Sequence, residues 1–323
     1  MKKALSTLAA LLALAAGAAD AALLKLTPKE YSAVISLDLR RTMASRTFRS
    51  LLGSPDRAAA IPVLNDVGVR VADIVELTVF NWDDNWYAVF RPNSAAPLRE
   101  ALERRCAGPT PQVVKKVVAG RQIYALAQKA KGKNHRRRNK ELCLLFADDG
   151  TVVLAKTAEL EKFLKTRRAD AAEINRLAGN RAEAWAEYRR RAGKKAGGDE
   201  TFDARLERGK VEITLADGDK DGIDIRGTAD FVDHESAESM SMTLPGILSF
   251  FAGLVFSEDP EGGDMFVKAL HSEARGNTLH FSLHAPEELF GRLLRALENF
   301  FGANENGSGR QAPAIRLPGG RKK

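Results

Sequence analysis

Alternating apolar and polar residues divide the chain into short strands that come in pairs, with a helix after most pairs. Residues 34–39 (VISLDL) have this two-residue period. The following segment changes to a helical period, with Met43 and Thr47 on one stripe. Residues 74–80 and 86–90 then pair around the turn residues NWDDN. The pattern therefore predicts a fold built from hairpins and helices.

The same grouping continues through the first half of the chain. Further strands are predicted at 112–118, 122–127, 142–146 and 151–155. Helices are predicted at 40–52, 56–67, 97–106, 158–165 and 171–177. Residues 182–191 fit neither period, and we assign them no element.

A second series of elements begins after residues 193–201, whose Gly and Lys content is typical of a linker. Strands are predicted at 210–215, 222–232, 266–275 and 278–284, and helices at 235–256 and 286–301, the first with a kink or break at Pro245. The order ββαββα is similar to that of the first half. We therefore predict an α+β protein of two related halves, each a mainly antiparallel sheet with its helices on one face.

The N-terminus has the pattern of a secretory signal peptide. A basic start is followed by the apolar residues 4–18, and Ala19-Asp20-Ala21 matches the cleavage pattern. We expect residues 1–21 to be removed on export, and we find no later apolar run long enough to span a membrane. The predicted units are an N-terminal domain (22–192), the linker (193–201), a C-terminal domain (202–302) and a disordered tail (303–323).

Positive charge is concentrated in two segments. The chain of 323 residues has a net charge of +8 at pH 7. The run at 129–140 (KAKGKNHRRRNK) contributes seven positive charges, and the tail from Gly302 adds a net four. The rest of the exported chain is mildly acidic. This distribution indicates basic arms on an acidic body and not a basic folded groove.

Two interpretations of the basic run are open. It is either a solvated loop between two strands or a contact for a polyanion or anionic surface, which such runs bind by counterion release. No aromatic residue is interleaved for base stacking, so specific nucleic-acid recognition is not predicted. The candidate polyanion-binding residues are Lys129, Lys131, Lys133, Arg136, Arg137, Arg138 and Lys140.

Cys106 and Cys143 are the two cysteines of the chain. Because exported proteins form disulfides, one interpretation is a Cys106–Cys143 bridge that closes a loop around the basic run. The other interpretation is two small buried apolar side chains.

A candidate calcium loop lies between two predicted strands. Asp217, Asp219 and Asp221 match its D-x-D-x-D-G opening. The twelfth position is Thr228, however, where the loop needs a bidentate Glu. Weak calcium binding and an ordinary polar turn are the two interpretations.

A second candidate metal site lies in the last predicted hairpin. A two-residue turn at Gly276-Asn277 places Glu273 opposite His280 and His271 opposite Ser282, all on one face. His280 and His284 are ~13 Å apart along the strand, so one ion cannot bind both. His271 can share an ion with only one of them, and the candidate ligands are His271, Glu273 and His280. The competing interpretation is a polar face in solvent, with Leu279, Phe281 and Leu283 directed to the core.

The chain contains no G-x-S-x-G, no H-E-x-x-H and no phosphate-binding glycine loop. The most apolar stretch after the signal, residues 244–256, predicts either a core helix or an exposed patch.

We therefore expect an exported, non-enzymatic binding or structural protein. The alternatives are a hydrolase with a site near Asp83, Asp84 or His271, and a carrier of a lipid or other apolar ligand. The carrier predicts a cavity lined by Leu248, Phe250, Phe251, Leu254 and Phe256.

The order VISLDLRRTMASRTFRSLLG, IVELTVF, NWYAVFR and LLFADDGTVVLAKTAELEKFL resembles a set of bacterial envelope proteins from families of unknown function. Those proteins carry a signal peptide or anchor and duplicated α+β units. The second half, with IDIRGTADF and TLHFSLHAPEELFGRLL, has the same pattern. The resemblance implies an α+β fold and an exported location, and it implies no activity.

Overall fold

A computed structural model describes residues 21–45, 69, 73–107, 113–126, 141–180, 182–190, 205–216 and 222–302. Its strands are β1 (Ala33–Asp38), β2 (Ile74–Trp82), β3 (Asn85–Pro92), β4 (Val113–Val118), β5 (Arg121–Leu126), β6 (Leu142–Phe146), β7 (Val152–Lys156), β8 (Ala184–Arg189), β9 (Leu206–Ala216), β10 (Gly222–Phe231), β11 (Leu270–Arg275) and β12 (Thr278–Pro286). Its helices are α1 (Ala21–Leu24), α2 (Leu39–Ala44), α3 (Ala95–Cys106), α4 (Thr157–Lys165), α5 (Ala171–Ala178), α6 (His234–Val255), α7 (Pro260–Lys268) and α8 (Glu287–Gly302).

The strands form one antiparallel sheet in the order β11-β12-β10-β9-β8-β1-β2-β3-β7-β6-β5-β4. This confirms the predicted mixed fold with a large antiparallel sheet. Strand β8 pairs with β9, with Glu187 opposite Lys210, so the sheet continues across the predicted domain boundary. The predicted linker, residues 1–20 of the predicted signal peptide and the predicted tail lie outside the described residues.

Helices pack on both faces of the N-terminal part of the sheet, so the prediction of helices on one face is wrong there. Successive residues of a strand point to opposite faces, and Leu144 and Leu145 of β6 belong to two separate buried clusters. The first cluster includes Leu102 of α3, and the second includes Phe163 of α4. The strands here are apolar on both sides, so both faces require a cover.

The last four strands of the sheet are apolar on one side only. In β10, Ile223 packs in the same buried cluster as Leu289 of α8. Arg226 and Thr228 occupy the opposite face, where Arg226 is exposed and Thr228 is half-buried. This alternation leaves a polar face on β9, β10, β12 and β11 that points away from helices α6, α7 and α8.

Three segments differ from the prediction. Helix α2 ends at Ala44, because Ser45 has an extended backbone, whereas the predicted helix continued to residue 52. Strand β8 forms within residues 182–191, to which no element was assigned. Helix α7 occupies the beginning of the predicted strand at 266–275. Asp259 caps this helix by accepting a hydrogen bond from the Gly262 N–H (3.1 Å), and Pro260 begins it. These two helix-start signals decide the local structure.

Helix α6 is a single helix of 22 residues that continues through Pro245. Among the described residues, it is the one helix long and apolar enough to cross a membrane, and 6% of its apolar stretch is buried. The expectation that no later apolar run is long enough to span a membrane therefore differs from the length of α6. That the exported chain has no transmembrane segment stays a prediction.

Candidate functional site

The polar face of β9, β10, β12 and β11 carries the largest cavity that we describe. Alternate residues such as Arg226 and Thr228 lie on the same face as the cavity, because successive residues of a strand point to opposite faces. The cavity has a volume of about 660 Å³. Its lining residues are Lys210, Glu212, Arg226, Gly227, Thr228, His271, Ser272, Glu273, His280, Phe281 and Ser282.

Arg226 lies in the middle of this surface. The strand register places it between Glu212 of β9 and Ser282 of β12. Its neighbour on the same face of β10, Thr228, lies between Lys210 and His280. The guanidinium group of Arg226 therefore has two hydroxyls near it, from Thr228 on β10 and Ser282 on β12, together with the imidazole of His280.

The charge of Arg226 is not neutralised by a carboxylate within the described part of the chain. Glu212, directly opposite, instead pairs with Lys210 at 2.7 Å. Glu273, at the far side of the cavity, pairs with Arg275 at 2.5 Å. Asp224, two residues before Arg226 on the same face, contacts His284 at 2.8 Å. None of these three acids forms an ion pair with Arg226 within the described residues, so its guanidinium is available to a ligand.

Gly227 and Phe281 support the site from behind. These residues are directly opposite each other in the register of β10 and β12. A Cβ added at Gly227 would lie 2.1 Å from the Cζ atom of Phe281, so the ring occupies the space of a missing side chain. The absence of a side chain at Gly227 leaves room for the Phe281 ring against β10, on the face opposite Arg226 and Thr228.

A buried ionic cluster borders the cavity at β8. The carboxylate of Glu187 is fully buried and pairs with Arg176 (2.8 Å), Arg189 (2.8 Å) and Arg208 (3.1 Å). The hydroxyl of Tyr31 also donates to it at 3.0 Å. Glu187 lies directly opposite Lys210, so this cluster fixes the edge of the site where the two halves of the sheet join.

Arginine contacts control ionisation in this cluster. Burial on its own raises the pKa of Glu187, but the hydrogen bonds from Arg176 and Arg189 outweigh burial and lower it. The hydrogen bond from Arg176 likewise lowers the pKa of Glu173 to about 2. Burial raises the pKa of Tyr31, so its hydroxyl remains a proton donor. The cluster is therefore ionised and fixed at neutral pH.

The cavity offers binding groups but no activated nucleophile among its described residues. Ser282 lies opposite His271 in the register, but no hydrogen bond joins its hydroxyl to either His271 or His280. A general base must be within hydrogen-bonding reach of the group that it activates. The other residues predicted for a hydrolase, Asp83 and Asp84, lie in the β2–β3 turn, where Asp83 pairs with Lys162. The structure does not bring them together with His271.

The hairpin geometry predicted for the candidate metal site is confirmed. Glu273 pairs with His280 across β11 and β12, and His271 pairs with Ser282. Within the ranges that the structure describes, however, no three His, Cys, Asp or Glu side chains are grouped as metal ligands. The calcium-loop residues Asp217, Asp219 and Asp221 lie outside those ranges, and calcium binding stays a prediction.

The predicted disulfide is not formed. Both cysteines are free, and they lie on opposite faces of the sheet. Cys106 packs against the cluster that contains Leu102, whereas Cys143 belongs to the cluster that contains Phe163. The sheet therefore separates the two thiols. The interpretation as a small buried apolar residue is correct for Cys143, whereas Cys106 is only partly buried.

The basic run Lys129–Lys140 lies outside the described residues, but its position in the sheet is defined by its flanking strands. Strand β5 ends at Leu126 and strand β6 begins at Leu142. The two strands are neighbours, with Tyr124 opposite Leu144. The run therefore connects adjacent strands, as predicted, near the opposite end of the sheet from the cavity.

The residues proposed for an apolar carrier do not line any of the cavities that we describe. Phe250 and Phe251 are exposed, and Phe256 is buried against Ala252 and Ala296. The exposed-patch interpretation of residues 244–256 therefore applies to the outer side of α6.

Comparisons with protein-family models, curated proteins and solved structures give no match to this chain. The site is therefore interpreted from its own geometry. Sequence reasoning selected His271, Glu273 and His280 but missed Arg226 and Lys210. The sequence signal for Arg226 and Lys210 is the alternation of polar residues along β9 and β10. That alternation indicates a shared polar face only when the two strands are known to be neighbours.

Proposed function

We propose that this chain is an exported, non-enzymatic binding protein of the bacterial envelope that holds an anionic ligand on the open face of β9, β10, β12 and β11. The observation that carries the proposal is the guanidinium of Arg226, which lacks a carboxylate partner within the described residues and lies between Glu212 and Ser282. A bound carboxylate or phosphate would supply the missing charge.

The surrounding groups support this ligand class. Arginine presents a planar set of donors that matches carboxylate and phosphate oxygens. Thr228 and Ser282 add hydroxyl donors, and His280 adds an imidazole. A volume of about 660 Å³ is within the ordinary range for small-ligand sites. Strands hold these groups in fixed positions, which reduces the entropy lost on binding.

Two other predictions support an envelope role and remain part of the proposal. The N-terminal signal pattern predicts export, and the basic run predicts a contact with a polyanion or anionic surface. Salt-sensitive retention on heparin should disappear when Arg136, Arg137 and Arg138 are replaced by Ser.

An origin of the two halves by internal duplication accounts for their similar order of elements.

The experiment uses a chain in which all seven Lys and Arg residues of the basic run are replaced by Ser, so that this run does not contribute to binding. Inorganic phosphate, citrate and an acidic oligosaccharide are titrated by calorimetry. We expect at least one probe to bind, and Arg226→Gln to weaken that binding about tenfold, the effect of losing one charge-assisted hydrogen bond. Arg295→Gln, at an exposed arginine of α8, is the matched control. Equal affinities for the two variants, or no binding of any probe, would refute the proposal.

A further inference from the structure

Helix α6 presents an apolar face to the outside of the molecule. Met242 is 72% exposed, Phe250 57%, Phe251 53% and Ile247 37%. The side of the helix that packs on the protein contributes smaller buried residues, with Ser236, Ala237 and Ala252. Met240, Leu244 and Val255 pack inward on the sheet and on the neighbouring helices. The helix is therefore apolar on its outer side as well as on the side that covers the core.

Two ordinary explanations of a long apolar helix do not apply to α6. A core helix is mostly buried, whereas 6% of the apolar stretch of α6 is buried. A signal sequence lies at the N-terminus, whereas α6 begins at His234. No charged residue occurs between Glu238 and Glu258. At 1.5 Å per residue the helix is ~33 Å long, similar to the thickness of a bilayer core.

The charges at the ends of α6 identify the surface that it fits. Glu235 and Glu238 lie in its first turns, Glu258 follows its end, and the helix contains no Lys or Arg. A second copy packed along the same face would bring acidic helix ends together, and α6 supplies no Lys or Arg to pair with them. An anionic membrane would be repelled for the same reason.

We propose that the exposed face of α6 lies in the surface of an electrically neutral phospholipid bilayer, with Phe250 and Phe251 in its apolar layer. The helix lies flat and does not cross, because its other side packs on the sheet and on α7. Aromatic and apolar side chains without interspersed charge are the groups that such a surface accepts. This contact is independent of the anion site, which is on the opposite face of the sheet.

The test places a reporter on the proposed contact. Phe250→Trp in the full chain is mixed with phosphatidylcholine vesicles, and tryptophan emission is compared with that of the unchanged chain. We expect a blue shift on addition of vesicles and quenching by brominated phosphatidylcholine. A reporter within α6 is required because the apolar residues 4–18 bind lipid in any chain that retains them.

Two further changes in the reporter chain give matched controls. Replacing Phe251 and Met242 by Ser should weaken the vesicle-induced shift at least tenfold. Val117→Ser, at a 73% exposed valine of β4, should leave it unchanged. An emission that does not respond to vesicles overturns the proposal. A shift that requires phosphatidylglycerol also overturns it, as does one that grows with protein concentration alone and accompanies dimers in light scattering.

Discussion

The hydroxyl of Ser272 on β11 donates a hydrogen bond to the backbone carbonyl of Ser241 in α6, at 3.1 Å. Ser241 lies four residues before Pro245, which has no N–H to donate to that carbonyl. The serine on the edge strand therefore supplies the donor that proline lacks. This contact explains how α6 continues through Pro245, and it fastens the helix to the edge of the sheet.

Ser272→Ala should lower the free energy of unfolding by about 1 kcal/mol, because the Ser241 carbonyl loses its donor in a half-buried position. Urea unfolding followed by circular dichroism measures this change. In a Pro245→Ala background the backbone N–H of residue 245 can donate to the Ser241 carbonyl. Ser272→Ala should then lower the free energy of unfolding by a smaller amount. Ser282→Ala, on the other face of the hairpin, is the control. Equal costs of Ser272→Ala in both backgrounds would contradict the proposed compensation.

Gly227→Ala should destabilise the protein by about 1–3 kcal/mol, because the new methyl group overlaps the ring of Phe281. Gly209→Ala is a close control, since its Cβ would meet the Thr228 carbonyl oxygen at an ordinary 3.9 Å. Thermal unfolding of the two variants measures the difference. If overlap with the ring is the cause, Phe281→Ala combined with Gly227→Ala should cost less than the sum of the single changes. Strict additivity would exclude this explanation.

Glu187→Gln should destabilise the protein by about 3 kcal/mol, because it leaves Arg176, Arg189 and Arg208 without their shared buried carboxylate. Glu212→Gln removes a partly exposed pair with Lys210 and should cost less than about 1 kcal/mol. Chemical unfolding at neutral pH distinguishes the two. A cost below that of Glu212→Gln would mean that the ionic cluster contributes nothing to folding.

The pH dependence of stability should have opposite signs for two acids. The pKa of Glu173 is lowered from 4.5 to about 2, mainly by Arg176, so its stabilising contribution is present above pH 4.5 and is lost as the pH falls toward 2. Burial, followed by the neighbouring Asp38, raises the pKa of Glu76 to about 8, although Arg91 lies 3.0 Å away. Its folded state therefore keeps a proton that the unfolded chain has lost.

The wild-type protein should accordingly lose stability relative to Glu76→Gln as the pH rises from 4.5 to about 8, with a constant difference above that range. Glu173→Gln should instead be least costly near pH 2 and most costly above pH 4.5. Unfolding curves at a series of pH values test both changes. A Glu76→Gln difference that does not vary with pH would show that this carboxyl is ionised in the folded protein.

Reducing agent should not change the melting temperature, because Cys106 and Cys143 are free thiols on opposite faces of the sheet. Thiol titration should find two reactive groups in the unfolded protein. In the folded protein Cys143 should react far more slowly than Cys106, since it is fully buried and burial raises its pKa to about 11. Cys106→Ser and Cys143→Ala assign the two rates. A melting temperature that falls on reduction would show a bridge.

The features that were predicted correctly depend on residues close to one another in the sequence. The hairpin around Gly276 was placed in its correct register, because a two-residue turn fixes which residues are opposite each other. Strand β8 was missed because it carries Glu187, a charged residue in a fully buried position. Its place in the sheet depends on arginines from α5 and β9, which are remote in sequence or belong to another element.

Non-local pairing also explains why the candidate site was only partly predicted. Arg226 is one of many charged residues along the chain, and its surroundings exist only when β9, β10 and β12 lie side by side. The separation of Cys143 from Cys106 could not be predicted from the sequence either, because it depends on which side of β6 faces α3. Alternation along one strand gives the residues that share a face, but it does not identify the neighbouring strand or the helix above it.

The continuous sheet sets the distance between the two surfaces proposed for contact with other molecules. Helix α6 lies over β11 at one edge, and the basic run leaves the sheet between β5 and β6, near the other. At about 4.8 Å per strand, they are separated by roughly 45 Å along the sheet. Because the strands are joined without interruption, this separation cannot shorten by domain motion. A molecule resting on a bilayer through α6 would therefore keep the cations of the basic run at a fixed distance to the side of that contact, near the other end of the sheet.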